Sequence, residues 1–318
     1  MTIKSPRIAL ILLLLVSFFW GAEFVLIDLS VEVLPTHTFN ALRFAIAALS
    51  LLPLLYFARE RIEKQMMPKL LGAGLLLGFL LFIAFYTQTE GLRYTSVSNA
   101  GFITGLNVPL VPVLAFLVFR QHARVNVWIG VITATAGLYL LTMSDTLALN
   151  EGDILVLICA FCFAAHIILT GRFVSTLPVT LLSIIQLTAV MVYSTAAAWL
   201  SPDPAFYHPE AAPVSWQEQL SSPIIIVSIL VAAIFGTAYA FWAQSTCQMI
   251  IEPHKVALVF ATEPVFAHVA AWLFLGEHLG TQGMMGAGLI IAAMLISELG
   301  DRKHPPKMEP LDHTAAAE

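Results

Sequence analysis

Runs of about 20 apolar residues, the length an α-helix needs to cross roughly 30 Å of hydrocarbon, recur ten times along this chain. They lie at Ile8–Leu29, Thr38–Phe57, Leu70–Thr89, Val97–Phe119 and Val125–Thr142, then at Ile154–Phe173, Leu181–Leu200, Ile224–Ser245, Val256–Leu275 and Thr281–Glu298. Hydrocarbon offers the backbone no hydrogen-bond partners, and the runs are too long and too uniformly apolar for alternating barrel strands. The expected fold is therefore an all-α integral membrane protein of ten transmembrane helices. Composition agrees: 59% of the 318 residues are hydrophobic and 11% charged, against about 45–50% and 25% in soluble domains. The first run follows Lys4 and Arg7 as a signal peptide would, but it exceeds the roughly 7–15 residues of a signal core and lacks a small-x-small cleavage site, so it reads as a membrane span.

Lysine and arginine orient the spans. With the N-terminus cytoplasmic, 13 of the 15 basic residues fall on the inner side, only Arg93 falls outside, and Arg43 lies within the second span. One missed span would invert every later loop, so the split also supports the count of ten. It places both termini in the cytoplasm and the protein in a bacterial inner membrane. No basic patch for nucleic acid is present. Cys159, Cys162 and Cys247 lie in apolar stretches and form no disulfide framework.

The two halves echo each other. Phe85-Tyr86-Thr87-Gln88-Thr89 resembles Phe241-Trp242-Ala243-Gln244-Ser245 at an offset of 156, and Gly130 falls on Gly286 at the same offset. Leu34-Pro35 matches Leu177-Pro178 at an offset of 143, the Pro-rich loop Ser201–Ser222 absorbing most of the difference. A repeat with an odd number of spans must place its second copy upside down. The chain accordingly divides into two inverted five-helix repeats, residues 1–145 and 146–299, and a polar tail, 300–318, expected to be disordered. Inverted repeats are a transporter architecture with the substrate near midplane.

Several motifs carry a family resemblance over nearly the whole chain: Phe19-Trp20-Gly21 with Phe24, Leu42-Arg43-Phe44, Gly91-Leu92-Arg93-Tyr94-Thr95-Ser96, Gly152-Asp153, Thr262-Glu263-Pro264-Val265 and Leu275-Gly276-Glu277-His278. In this order and spacing the halves resemble two EamA domains of the drug/metabolite transporter superfamily. The resemblance implies a central cavity between the halves and export or exchange of amino acids or other small metabolites by alternating access. The sequence departs from the family pattern at Arg120-Gln121-His122, where an acidic residue is usual, and at Glu23 and Asp28.

Charges within spans mark candidate sites because each is costly to insert. Glu23 and Glu263 either face the cavity, binding an ammonium or exchanging a proton, or are satisfied locally, Glu23 by Arg43 and Glu263 by backbone amides beside Pro264. If Glu23 couples protons to transport, Glu23→Gln should abolish flux driven by a pH gradient and leave the protein folded. Arg43 either snorkels to the interface or pairs with Glu23 or Asp28. His166 occupies the repeat position of Glu23 and suits a proton relay or plain packing; His268 is a similar case. Asn107 maps onto Glu263, and with Asn99, Gln88 and Gln244 it either binds substrate or bridges helices. Trp20, Tyr86 and Trp242 either wall the cavity or pack. Pro109, Pro112 and Pro264 remove helix hydrogen bonds, so their spans should kink or break there, Pro109 and Pro264 as hinges.

Other patterns are discounted. Cys159-Ala160-Phe161-Cys162 lacks a second ligand pair for a metal, and Gly283-Met284-Met285-Gly286-Ala287-Gly288 suits helix packing better than phosphate. No cofactor, metal or catalytic set is expected, and His37, His122, His166 and His268 are scattered. The chain reads as a transporter of a small molecule in the lipid bilayer, not an enzyme, with protons as a possible coupling ion, and as a monomer or weak homodimer. A proton-coupled exporter of cationic drugs is the alternative, and an intramembrane lipid-handling protein or enzyme the alternative of another class.

Overall fold

The computed structural model describes residues 3, 5–31, 34–58, 64–95, 97–121, 123–142, 150–201, 216–275 and 280–302. Among them every regular element is helical. Six helical stretches are long and apolar enough to cross a membrane: Pro6–Val31 (α1), Thr36–Ala58 (α2), Lys64–Gly91, Glu151–Phe173 (α7), Val179–Leu200 (α8) and Pro223–Cys247. The third contains α3 at Met67–Gly91, and the sixth contains α10 at Pro223–Ala233 and α11 at Ala240–Cys247. The other apolar helices are α4 (Val97–Gly105), α5 (Asn107–Phe119), α6 (Val125–Thr142), α12 (Pro253–Phe260), α13 (Glu263–Leu275) and α14 (Thr281–Arg302), with a short polar helix, α9, at Trp216–Ser221.

Two expected spans are broken where the prolines predict. The run 97–119 divides at Leu106, whose N–H reaches back only three residues to Ile103 O (3.1 Å). The run 256–275 begins earlier, at Pro253, and divides at Ala261–Thr262, where Thr262 N–H again reaches only to Val259 O (3.0 Å). Pro109 and Pro264 consequently sit in the first turns of α5 and α13, where a missing N–H leaves no orphaned carbonyl. Through Pro112, by contrast, α5 continues. It ends on Arg120, which has the left-handed φ of 53°. A third irregularity has no proline: between α10 and α11 the backbone widens into a π-helical turn at Ile234–Tyr239.

Helix directions are fixed by close approaches at glycine. Gly74 and Gly78 of α3 lie on Ile185 and Ala189 of α8, so these helices run parallel. On α6, Gly130 and Gly137 face Ala293 and Gly286 of α14, an antiparallel pair that uses Gly286 of the glycine-rich stretch for packing. α1 runs parallel to α12 and α13: Ser17 Oγ donates to Val259 O at 3.3 Å, and Gly21 abuts Glu263. Large apolar side chains such as Leu49, Phe79, Leu117, Ile132 and Leu273 remain exposed on the outside, surface that a bilayer covers and water would not.

α7 starts on a complete capping box, Asn150 Oδ1 accepting from Asp153 N (2.9 Å) and Asp153 Oδ2 from Asn150 N (3.0 Å). Thr95 Oγ1 donates to the other Asp153 oxygen at 2.6 Å, tying the cap to the end of α3. Asn150→Ala should lower stability by about 1 kcal/mol, read as a fall in the thermal midpoint of the detergent-solubilised protein, and a midpoint unchanged or raised would refute the cap's role.

α14 extends to Arg302. Residues 303–318, His122, the Gly276-Glu277-His278 motif, Ser96 and most of the loop from Ser201 to Ser222 lie outside the described residues.

Candidate functional site

Helix breaks deliver polar side chains to the centre of the bundle. Asn107 is the first residue of α5 and Glu263 the first of α13, so two residues paired by the sequence repeat both open half-helices. For Glu263 the position is favourable, because a helix N-terminus carries a partial positive charge. Both line one cavity with Trp20, Glu23, Gln88, Thr104, His166 and Gln244. Phe24, Phe85, Phe163 and Phe260 complete much of its wall. The cavity measures about 20 Å³, room for a water or two. Helices from both halves of the chain therefore meet around one small space, whose largely apolar wall carries these polar side chains.

Beside it lies a buried ion pair. Arg43 is 0% exposed and its Nη2 sits 2.6 Å from Glu23 Oε1. Its Nε donates to Thr237 Oγ1 (2.6 Å), which donates in turn to Ala232 O (2.7 Å). Nη2 also reaches Gly236 O (3.4 Å), and the guanidinium stands 4.7 Å from the centre of the Phe85 ring. The Gly236 carbonyl belongs to the π-helical turn, and Trp20 Nε1 also donates to it at 2.7 Å. Gly236 is required here, since a Cβ would overlap the Glu23 carboxylate. Arg43 thus neither snorkels nor reaches the interface: it is anchored inside.

His166 Nε2 lies 2.9 Å from Gln186 Oε1. An amide oxygen only accepts, so Nε2 carries the proton and Nδ1 keeps its lone pair. Thr170 lies 3.4 Å away on the next turn. Gln88 Nε2 donates to Thr104 Oγ1 (3.2 Å), and Gln244 Nε2 to Gln248 Oε1 (3.2 Å).

Of the three aromatic candidates, Trp20 lines this cavity and the other two lie elsewhere. Tyr86 stacks on His37 at 4.4 Å between ring centres, while its neighbour Phe85 lines the cavity. Trp242 lines a separate, larger cavity of about 260 Å³, with Leu54, Phe57, Thr180, Thr246 and Met249, where α2 and α11 end and α8 begins. His268 is occupied locally, its Nδ1 donating to Pro264 O at 2.8 Å. Asn99 lies in α4 with its side chain outside the described residues. The three cysteines are free thiols, and among the described residues no group of three or more His, Cys, Asp or Glu side chains gathers as a metal set. Sequence reasoning passed over Gln186, Gly236 and Thr237; a lone glutamine in an apolar span and a Gly-Thr pair in another were the available signals.

Residues 7–143 and 150–298 each match the model of the EamA-like transporter family. An uncharacterized transporter of Archaeoglobus fulgidus is 30% identical over 90% of this chain and 84% of its own length. The uncharacterized transporter YyaM of Bacillus subtilis is 26% identical over 90% of this chain and 92% of its own. A crystal structure at 15% identity superposes with a TM-score of 0.69 over 92% of this chain and 98% of that one, a likeness of fold. Family matches that together span most of the chain, relatives named as transporters and six helices fit to cross a bilayer lead to one conclusion: this multi-pass membrane protein belongs to the EamA-like transporter family.

Proposed function

We propose that the protein is a secondary transporter that exports or exchanges a small metabolite, such as an amino acid or an amine, across a bacterial inner membrane by alternating access. Its ten spans form two five-helix repeats of opposite orientation, 1–145 and 146–299, with both termini cytoplasmic and residues 300–318 as a tail. Parallel pairing of α3 with α8 and of α1 with α12–α13, and antiparallel pairing of α6 with α14, are what such an alternation requires. The single observation that carries the reading is the enclosed cavity on which Glu23, Gln88, Asn107, His166, Gln244 and Glu263 converge from both halves. Polar side chains that converge on a midplane space between broken helices are the usual construction of a transport site.

The larger cavity around Trp242 lies, in this orientation, on the cytoplasmic side, where a solute would enter. Pro109 and Pro264 serve as hinges, because the junctions they follow have exchanged helical bonds for looser ones. One chain supplies both halves of the site, so a monomer suffices. Protons are the coupling ion, and the exchanging carboxylate is Glu263. Glu23, held at 2.6 Å by Arg43, has already committed its charge.

Purified protein in liposomes should show saturable counterflow of a labelled solute, and flux driven by a pH gradient should vanish in Glu263→Gln. Counterflow no greater than in protein-free liposomes would refute the transport reading. Gradient-driven flux that survives Glu263→Gln would remove that residue from coupling.

A further inference from the structure

The polar atoms around the central cavity divide unevenly. Its donors are partly committed to the protein itself: Trp20 Nε1 gives its N–H to Gly236 O, and Gln88 Nε2 and Gln244 Nε2 each give one of their two to Thr104 and Gln248. Buried atoms of cavity-lining residues that have no protein partner are all acceptors: Glu23 Oε2, Asn107 Oδ1 and the lone pair of His166 Nδ1. The nearby donors without partners, Arg43 Nη1 and Gln186 Nε2, belong to residues outside the cavity wall.

Charge is uneven in the same sense. Arg43 neutralises Glu23, while Glu263, 8% exposed on the cavity wall, has no cation paired with it among the described residues. Burying a carboxylate without a counter-charge is costly, and a ligand cation would relieve it. The remaining wall is aromatic, from Trp20, Phe85, Phe163 and Phe260, surfaces that attract a cation by their ring faces and cover an apolar body.

Resting on the transport reading above, we propose that the solute is a primary or secondary ammonium carrying an apolar body. Its N–H groups donate to the Glu263 carboxylate and to the acceptors of Asn107, His166 and Glu23, and its charge balances Glu263. A zwitterion's carboxylate meets no Lys or Arg on this wall among the described residues, and a quaternary ammonium has the charge but no N–H to give. The cavity's 20 Å³ matches an ammonium head, and the body fits once the aromatic contacts of Trp20 with Phe163 and Phe260, at 6.4 and 4.8 Å between ring centres, part.

The test uses the full-length purified protein and a fixed panel: phenethylamine, hexylamine, the N,N,N-trimethyl derivative of phenethylamine, phenylalanine, 3-phenylpropionate and sodium chloride. Thermal stabilisation on ligand binding gives the affinities. Phenethylamine should stabilise the protein, its trimethyl derivative should bind at least about tenfold more weakly for want of hydrogen bonds to a charged acceptor, and phenylpropionate should not bind. Glu263→Gln should abolish the response to phenethylamine and Glu263→Asp, which retains the charge, should keep part of it. Equal binding of the trimethyl derivative, stronger binding of phenylalanine or phenylpropionate, a response to sodium that the amine does not add to, or no response to either amine would each overturn the inference. Counterflow of an acid or zwitterion without counterflow of an amine would overturn it and leave the transport reading standing, whereas failure of the transport reading shows as counterflow of no solute at all.

Discussion

Glu23→Gln should destabilise the protein by about 3–5 kcal/mol, the cost of removing one partner from a buried ion pair. Arg43 is the largest fully buried side chain among the described residues, and Glu23 is the carboxylate beside it. After the substitution the guanidinium keeps Thr237 Oγ1, the distant Gly236 carbonyl and the Phe85 face, which provide hydrogen bonding without a counter-charge. Removing both charges in Glu23→Gln/Arg43→Met should recover much of the loss, because the pair as a whole offsets its own desolvation only in part. Thermal unfolding of the two singles and the double in detergent gives the coupling. A Glu23→Gln midpoint within a degree of the parent would show that the pair does not hold α1, α2 and the π-turn together. The expectation that this substitution leaves the fold intact, reasonable from hydropathy alone, is replaced by one in which lost flux and lost stability arrive together.

Gly21→Val is expected to be the other severe change. A Cβ at Gly21 would lie 2.5 Å from Glu263 O, 2.7 Å from Ala267 N and 2.8 Å from Phe266 Cβ, backbone and near-backbone atoms that no side-chain rotation can clear. α1 and α13 must then separate. Overpacking of this kind costs about 1–3 kcal/mol and sometimes more, and it moves the residue that opens α13 into the cavity, so counterflow should be lost along with stability. Gly72 provides the control: a Cβ there meets nothing within 4 Å, and Gly72→Ala should be neutral or gain up to about 1 kcal/mol from helix propensity. A Gly21→Val protein that melts and transports like Gly72→Ala would show that the close approach of α1 to α13 is dispensable.

Hydropathy located the long helices because lipid demands an unbroken apolar length, and Pro109 and Pro264 pointed to the two broken spans because a proline lacks the N–H that a continuous helix uses, although α5 runs on through Pro112. Glu23, Asn107, His166 and Glu263 stood out because a polar side chain in hydrocarbon needs a reason. The phase of each helix was far less visible. In water a helix declares its inner face by being apolar on one side; in lipid both sides are apolar, so choosing Tyr86 over Phe85, or Trp242 as a neighbour of Gln244's cavity, had no sequence signal to rest on. The π-turn was hidden for a related reason: Ile234–Tyr239 is uniformly compatible with a regular helix, and only the demands of Arg43 and Trp20 on the Gly236 carbonyl reveal why the turn widens.

The small size of the central cavity has an electrical meaning. If the protein transports as proposed, a midplane space for only one or two waters would interrupt a column of solvent, and the membrane's voltage would drop mainly across this short stretch. One elementary charge moved through 100 mV corresponds to about 2.3 kcal/mol. On the transport reading proposed above, the packed aromatics around Trp20 would act as an insulator, and the protein would cycle without short-circuiting the gradient on which the cell runs.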